Sequence, residues 1–319
     1  MAGAEDLCVT PHLATDIRPH AGGPPEEVTV GMRLADLHEI NDVAQTLTGD
    51  YLVAVSWFDP RLADLEGCEV PLEDVWNPGL VFTNSGRLFT SRPMEVSIGA
   101  DGHVRYVQRY FGTIASYHSL QDFPFDRQEI VISLLPIEAS VDEIVLVVDE
   151  RLSGVSDRLN ISDWTVNSAT GSVNDQFVDA YDRHHARYDL TISTQRISDY
   201  YVWKVLLPLA LIVAMSWSVF WINPAHFGTQ IGLSATAMLT LIAFIFATSN
   251  VVPKLGYFTI LDRLINVCTI VVFLALIQSL TTTYLVAKDR VALAGRIDQI
   301  CRVAFPLMFA ILVLVVLKF

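Results

Sequence analysis

Lysine is missing from residues 1–199, where 13 arginines supply every positive charge against 32 of the chain's 35 acidic residues, a net of -19. A surface of that sign excludes nucleic-acid binding by this half, because phosphate recognition needs clustered cations. Cysteine is scarce too. Cys8, Cys68, Cys268 and Cys301 have neither metal nor redox spacing, and the sequence does not say whether Cys8 and Cys68 pair. No nucleophile, base and orienting group come together in the sequence, and no cluster of metal ligands, so neither an enzyme nor a metal or organic cofactor is expected. The opening MAGAEDLCVT has no basic segment followed by an apolar one, so an exported front half would need a leader already removed. Acidic residues then nearly vanish: residues 200–319 hold 3 of them against 8 basic ones, a net of +5, and are the more apolar part of a chain whose mean hydropathy is +0.40.

What is present divides the 319 residues into two domains and a tail. Residues 1–27, with four prolines beside a Gly-Gly pair, are expected to be a poorly ordered tail. From 28 to 199 short β-rich runs such as VTVGMRL, DYLVAVSW, HVRYVQRYF and YDLTIST alternate with turn signals, and only the ADLHEIND region hints at a helix. Nine or ten strands at that spacing predict an immunoglobulin-like β-sandwich, with hairpin turns at Ala100-Asp101-Gly102 and Asn84-Ser85-Gly86. Residues 200–319 predict four membrane helices, at about 202–222, 230–250, 258–287 and 297–318. Lys288, Arg290 and Arg296 cluster between the third and fourth, which places that loop in the cytoplasm and leaves the sandwich and the carboxyl terminus outside an inner (plasma) membrane.

The second run is unusual because hydroxyls stud it. On a helix, Gly232, Thr236, Leu239, Ala243, Phe246 and Asn250 recur at alternating steps of four and three and form one stripe. Such a stripe suits a ring of identical helices around water. A buried bundle helix with back-bonded hydroxyls is the alternative, and a rotation placing Ser234, Thr240 and Ser or Thr near residue 248 on the functional face is equally compatible with polarity.

Phe123-Pro124-Phe125-Asp126 resembles the core of the Cys-loop of pentameric ligand-gated ion channels, with the flanking cysteines replaced by Ser116 and Ile130 as in the prokaryotic branch. Trp57, Trp76-Asn77-Pro78, Pro208, SWSVFW at Ser216–Trp221, TSNVVPKLGY at Thr248–Tyr257 and RVAFPL at Arg302–Leu307 are similar to further family signatures. The resemblance implies a homopentamer in membrane lipid, with an extracellular agonist-binding sandwich and a central pore through which ions pass. It further implies that Asp42, Phe123, Pro124, Phe125, Asp126 and Arg196 meet Pro253, Lys254 and Tyr257 at the membrane face. Agonist candidates by the same resemblance are Trp76, Val81 and Phe82, Leu135 and Ile137, Phe177, Tyr181, His184 and His185, and Arg105 and Arg109. In an amine-gated bacterial member the carboxylates that bind amines fall on Val81 and Leu135, and an aromatic of the capping loop on His185, so amines are expected to bind poorly. A small-molecule agonist or protons are the expected stimuli, since imidazole titrates near neutrality. Exposed polar histidines, and arginines kept for solubility, are the plainer readings of those residues. Selectivity is expected to be for cations, concentrated by the acidic half. Gly228, Thr229 and Gln230 stand where cation-selective relatives carry Glu, which leaves an anion channel as the alternative, beside a non-conducting membrane-anchored sensor.

Overall fold

The computed structural model describes Cys8, residues 15–157, residue 159, and residues 163–249 and 255–318. Asn250, Pro253 and Lys254 therefore lie outside the described residues. The chain forms two compact units, one comprising residues up to His118 with Arg127–Gln195, the other Ser119–Asp126 with Arg196 onward.

The first unit is a two-sheet sandwich of twelve strands among the described residues: β1 (Glu26–Asn41), β2 (Thr46–Phe58), β3 (Glu69–Pro71), β4 (Leu80–Phe82), β5 (Ser85–Thr90), β6 (Glu95–Ile98), β7 (His103–Ala115), β8 (Arg127–Pro136), β9 (Ile144–Val148), β10 (Gly154–Val155), β11 (Trp164–Val178) and β12 (Arg183–Arg196). One sheet runs β10-β1-β2-β7-β6-β3, with β9 also on β1 and β5 also on β7, and the other runs β11-β12-β8-β4. Alternation decides which side chains face inward. Val28, Val30, Met32 and Leu34 of β1, Val53, Val55 and Trp57 of β2, Ile130, Ile132 and Leu134 of β8 and Tyr188, Leu190 and Ile192 of β12 make one core. Each such aliphatic side chain contributes roughly 1.5–3 kcal/mol on burial. Tyr188 also links the sheets, its hydroxyl accepting from the Met32 amide at 3.2 Å and meeting Ser153 Oγ at 2.8 Å.

The ADLHEIND region is strand, not helix: residues 36–41 continue β1 antiparallel to β2, and the register shifts at Leu34/Asp36 and Leu37/Glu39 produce the irregular polarity that looks helical. Ala100-Asp101-Gly102 does turn the chain between β6 and β7, with positive φ at Asp101 and Gly102. Asn84-Ser85-Gly86 is not a hairpin. There the chain crosses from β4 in one sheet to β5 in the other, and the Asn84 amide donates to the carbonyls of Ala115 and Val131, both at 2.9 Å. A Cβ on Gly112, whose φ is +143°, would lie 2.0 Å from the Arg87 carbonyl, so β5 can reach β7 only over glycine.

Within residues 1–27 the described residues make several contacts. Glu26 already opens β1, the Arg61 guanidinium donates to the Ile17 carbonyl at 3.1 Å, and His20 pairs with Glu26 at 3.0 Å. Cys8 and Cys68 form a disulfide.

The second unit carries four helices long and apolar enough to cross a membrane: α1 (Asp199–Trp221), α2 (Phe227–Thr248), α3 (Ile260–Ala287) and α4 (Val291–Lys318). In α1 a π-helical turn at Val202–Leu206 leads into Pro208, which has no N–H to offer the preceding turn. Thr259 and Asp262 close a capping box at the start of α3. Asp289, at φ 60°, lets the chain reverse within Lys288–Arg290, so α4 starts at Val291, a turn and a half earlier than the apolar run alone predicts.

Thiol labelling of the unfolded, unreduced chain is expected to modify only Cys268 and Cys301, with all four reacting after reduction. Cys68→Ser is expected to lower unfolding free energy by about 2–4 kcal/mol, measured by denaturation of the detergent-solubilised chain.

Candidate functional site

Residues 119–126 leave the sandwich strands and pack in the helical unit. Leu120 and Phe123 are fully buried there with Val205 and Leu261, and the Phe123 ring meets the edge of Tyr201 at 4.7 Å. The first amides of a helix have no partner within it. At α3 this loop supplies them: Ile260 donates to the Gln121 carbonyl at 3.0 Å and Leu261 to the Phe123 carbonyl at 3.2 Å. The Leu120 amide in turn donates to the Tyr257 hydroxyl at 2.9 Å. The peptide between Phe123 and Pro124 is cis.

Asp126 ends the loop and Arg196 opens the path into α1. Arg196 Nε reaches Asp126 Oδ1 at 2.8 Å and Nη2 reaches Oδ2 at 3.2 Å, while the Arg196 amide donates to the Asp126 carbonyl at 3.1 Å. Both side chains are buried, and the guanidinium also lies 4.9 Å from the centre of the Phe123 ring. This is the bidentate fork that a planar guanidinium is built to make. Asp42 lies on the sandwich between β1 and β2, where its carboxylate accepts from His118 Nε2 at 3.2 Å. Phe125 is exposed and Pro124 buried.

Along α2, Gly232, Thr236, Leu239, Ala243 and Phe246 are all exposed, Leu239 at 69% and Phe246 at 74%. Ser234 and Thr248, from the alternative rotation, are turned into the bundle with Gln230, Ala237 and Leu241. Ser234 Oγ meets Ser279 Oγ of α3 at 2.7 Å. Thr236 and Thr240 bond back to the carbonyls four residues earlier, both at 2.8 Å, so neither hydroxyl holds a neighbouring helix.

The agonist candidates divide in two. Phe177, Tyr181 and His184 are exposed on the β11–β12 hairpin, with the Phe177 ring 5.1 Å from His184, and His184 pairs with Asp175 at 2.7 Å. Val81 is exposed, whereas its strand partner Leu135 is buried. Trp76 is in the core, edge-on to Trp57 at 5.9 Å, and Phe82 packs on Tyr110 at 5.0 Å. Ile137 is half-buried. His185 departs furthest from its expected role on an exposed loop. It is fully buried on β12, and Nδ1 donates to the carbonyls of Pro136 and Ala139 at 3.0 and 2.8 Å, so it braces the hairpin against the segment after β8.

Arg105 and Arg109 stand on the outer side of β7 and line a cleft of about 760 Å³ together with Arg92, Glu69 and Glu95. Arg109 is paired with Asp50. Burial pushes the Tyr106 phenol, at the floor of the cleft, above its usual range, as it does Tyr110 and Tyr51, so all three stay protonated. Arg92 and the α3-capping role of the loop escape sequence reading, the second because it is made by backbone carbonyls.

A cleft-bearing sandwich, a loop from it capping a membrane helix, and four apolar spans define a membrane receptor with a channel-type helical unit. The neurotransmitter-gated ion-channel ligand binding domain matches residues 6–197, and the neurotransmitter-gated ion-channel transmembrane region matches residues 205–291. The chain belongs to the neurotransmitter-gated ion-channel family and is a multi-pass membrane protein. It is 28% identical to a proton-gated ion channel of Gloeobacter violaceus, over 89% of this chain and 80% of that one. It is 26% identical to a gamma-aminobutyric acid receptor subunit beta-like protein of Drosophila melanogaster, and 27% identical to the theta subunit of that receptor in Mus musculus. Each covers 84% of this chain, which spans 58% and 44% of their lengths.

Removing one partner of a buried pair leaves the other ill-solvated, at a cost of roughly 3–5 kcal/mol. Asp126→Ala and Arg196→Ala are each expected to destabilise the chain on that scale, and the double variant by clearly less than their sum, as read by thermal unfolding in detergent.

Proposed function

We propose that the chain is one subunit of a homopentameric ligand-gated ion channel whose pore is lined by Gly232, Thr236, Leu239, Ala243 and Phe246, continued by Asn250. The observation that carries this is the division of α2 into a back face bonded into its own bundle and an exposed stripe with no partner there. Five copies around an axis would cover the stripe and give its polar positions water instead of lipid. Leu239 and Phe246 are the large apolar side chains on it, and rings of such residues gate by dewetting.

Binding at the sandwich would reach the pore through the loop of residues 119–126. That loop caps α3 and is forked to Arg196 at the head of α1, so a shift of the sandwich strands on either side of it is delivered to two helices. Asp42, Pro253 and Lys254 complete this interface in the proposal. The disulfide Cys8–Cys68 calls for an oxidising compartment, and the basic Lys288–Arg296 stretch for the cytoplasmic side. Both favour a plasma membrane with the sandwich and the carboxyl terminus outside.

Neutral Val81 and Leu135 offer nothing to an ammonium group, whereas the arginine-lined cleft suits a carboxylate. Protons are the other stimulus, by analogy with the Gloeobacter relative. The front half's charge of -19 favours cations. The absence of any acidic residue between Trp221 and Asp262 favours anions, and the resemblance to gamma-aminobutyric acid receptor subunits points the same way.

Currents from the purified protein in planar bilayers test this reading. Acid or carboxylates are expected to open the channel and simple primary amines to fail, with a reversal potential that tracks the cation gradient; tracking chloride would assign the anion reading, and no current under any stimulus would leave only a sensor. Leu239→Ser is expected to raise open probability and shift the activation curve to weaker stimuli.

A further inference from the structure

Among the described residues of α1 to α4, Asp298 is the one buried acidic residue. Asp298 is 1% exposed, and it and Ala294 are the only buried side chains of α4 among the described residues. The rest of α4 packs Phe305, Met308, Phe309 and Leu312 against the bundle core and turns Val303, Leu307, Ile311 and Leu314 outward, so Asp298 is its one buried polar anchor among the described residues. A carboxylate away from water needs donors. Gln278 of α3 donates from Nε2 to Oδ1 at 2.7 Å, and Gln230 of α2 from Nε2 to Oδ2 at 3.2 Å.

Gln230 does more than satisfy the charge. Its Nε2 also donates to the Ile222 carbonyl at 3.0 Å, just past the end of α1, where helix carbonyls lack partners. Arg302, one turn beyond Asp298 on α4, donates from Nε to the Phe220 carbonyl at 3.0 Å and lies 5.7 Å from the Trp221 ring. Side chains of α2 and α3 thus meet on the α4 carboxylate, while the end of α1 is tied to the same cluster through backbone carbonyls that accept from Gln230 and Arg302. One turn further along α2, the Ser234–Ser279 bond repeats the contact with α3. Gln230 and Gly232 are two residues apart, about 200° around a helix, so whatever fixes Gln230 at the back fixes the stripe at the front.

We propose that Asp298 is the positioning residue of α2: through Gln230 it sets the rotation at which the stripe from Gly232 to Phe246 is presented, and so ties outward-facing α4 to the pore. This rests on the reading of α2 as pore-lining. Movement of α4 is then transmitted to the Gly232 end of the stripe without passing through the sandwich.

The test is accessibility of single cysteines to a charged thiol reagent in assembled channels. With the wild-type clamp, Thr236→Cys is expected to be blocked and Ser234→Cys protected; an unreactive Thr236→Cys would instead sink the pore reading itself. Gln230→Asn and Asp298→Glu each move one methylene out of register. Either is expected to raise the modification rate of Ser234→Cys about tenfold or more, the scale of a lost hydrogen bond to a charge. Combining them restores the span between α2 and α4 and is expected to restore protection. An unchanged pattern in the single variants, or a double variant as loose as both together, overturns the inference. So does a fall in pentamer yield while the surviving pentamers keep the wild-type pattern, because Asp298 would then serve folding alone. A double variant that fails to assemble contradicts the required rescue and counts against it equally.

Discussion

The fork between Arg196 and Asp126 is the constraint on which the helical unit's upper end depends. Both groups are buried, so their attraction is largely spent on desolvation, and an apolar pair of similar volume would be about as stable. What an apolar pair lacks is direction. Two N–H vectors on two oxygens hold the loop at one angle, and at that angle its carbonyls face the first amides of α3 while Phe123 enters the pocket beside Tyr201 and Val205. The start of one membrane helix and the cap of another are thereby set by a single ion pair. Coupling of this kind needs a rigid link more than a strong one.

The same logic recurs at the other end of the bundle. Polar groups in a membrane domain are costly unless paired, so where they occur they fix geometry. Gln230 and Ser234 on the back of α2 find partners in α1, α3 and α4, which leaves Thr236 and Thr240 in front with only their own helix to bond. The helix is therefore oriented by its back, and in the proposed channel its front is free to be composed for ions and water.

Much of this was legible in the sequence, and the failures have physical causes. The β-rich runs HVRYVQRYF and YDLTIST located β7 and β12, and run length located the four spans, because both signals are local. The ADLHEIND stretch misled because shifts in register mix the inward and outward sides of β1. Asn84-Ser85-Gly86 carries turn residues, yet Asn84 is there to bond carbonyls of both sheets as the chain crosses between them. A count of prolines in residues 1–27 does not reveal that Arg61 bonds the Ile17 carbonyl or that Cys8 pairs with Cys68, both partners lying far along the chain. His185 was the costliest ambiguity: beside His184 it reads as an exposed pair, while strand alternation sends one imidazole outward and the other into the interior.

That burial reshapes the ligand question. With His185 committed to two carbonyls, and with Trp76 and Leu135 in the interior, the hairpin and its facing loops offer an incoming molecule the rings of Phe177, Tyr181 and His184 and the aliphatic Val81, beside the exposed charges of Asp175, Asp179, Asp182 and Arg183. A second group of arginines lines the cleft on β7. There Asp50 already occupies Arg109, and Glu69 and Glu95 share the cleft, so Arg105 and Arg92 must supply any net attraction for an anion. In a ring of subunits, aromatic recognition and charge recognition can act on one molecule only if the hairpin of one copy faces β7 of the next. In the proposed channel, the distribution of chemistry over this single chain would divide the labour of binding between two faces and make agonist affinity a property of the assembly.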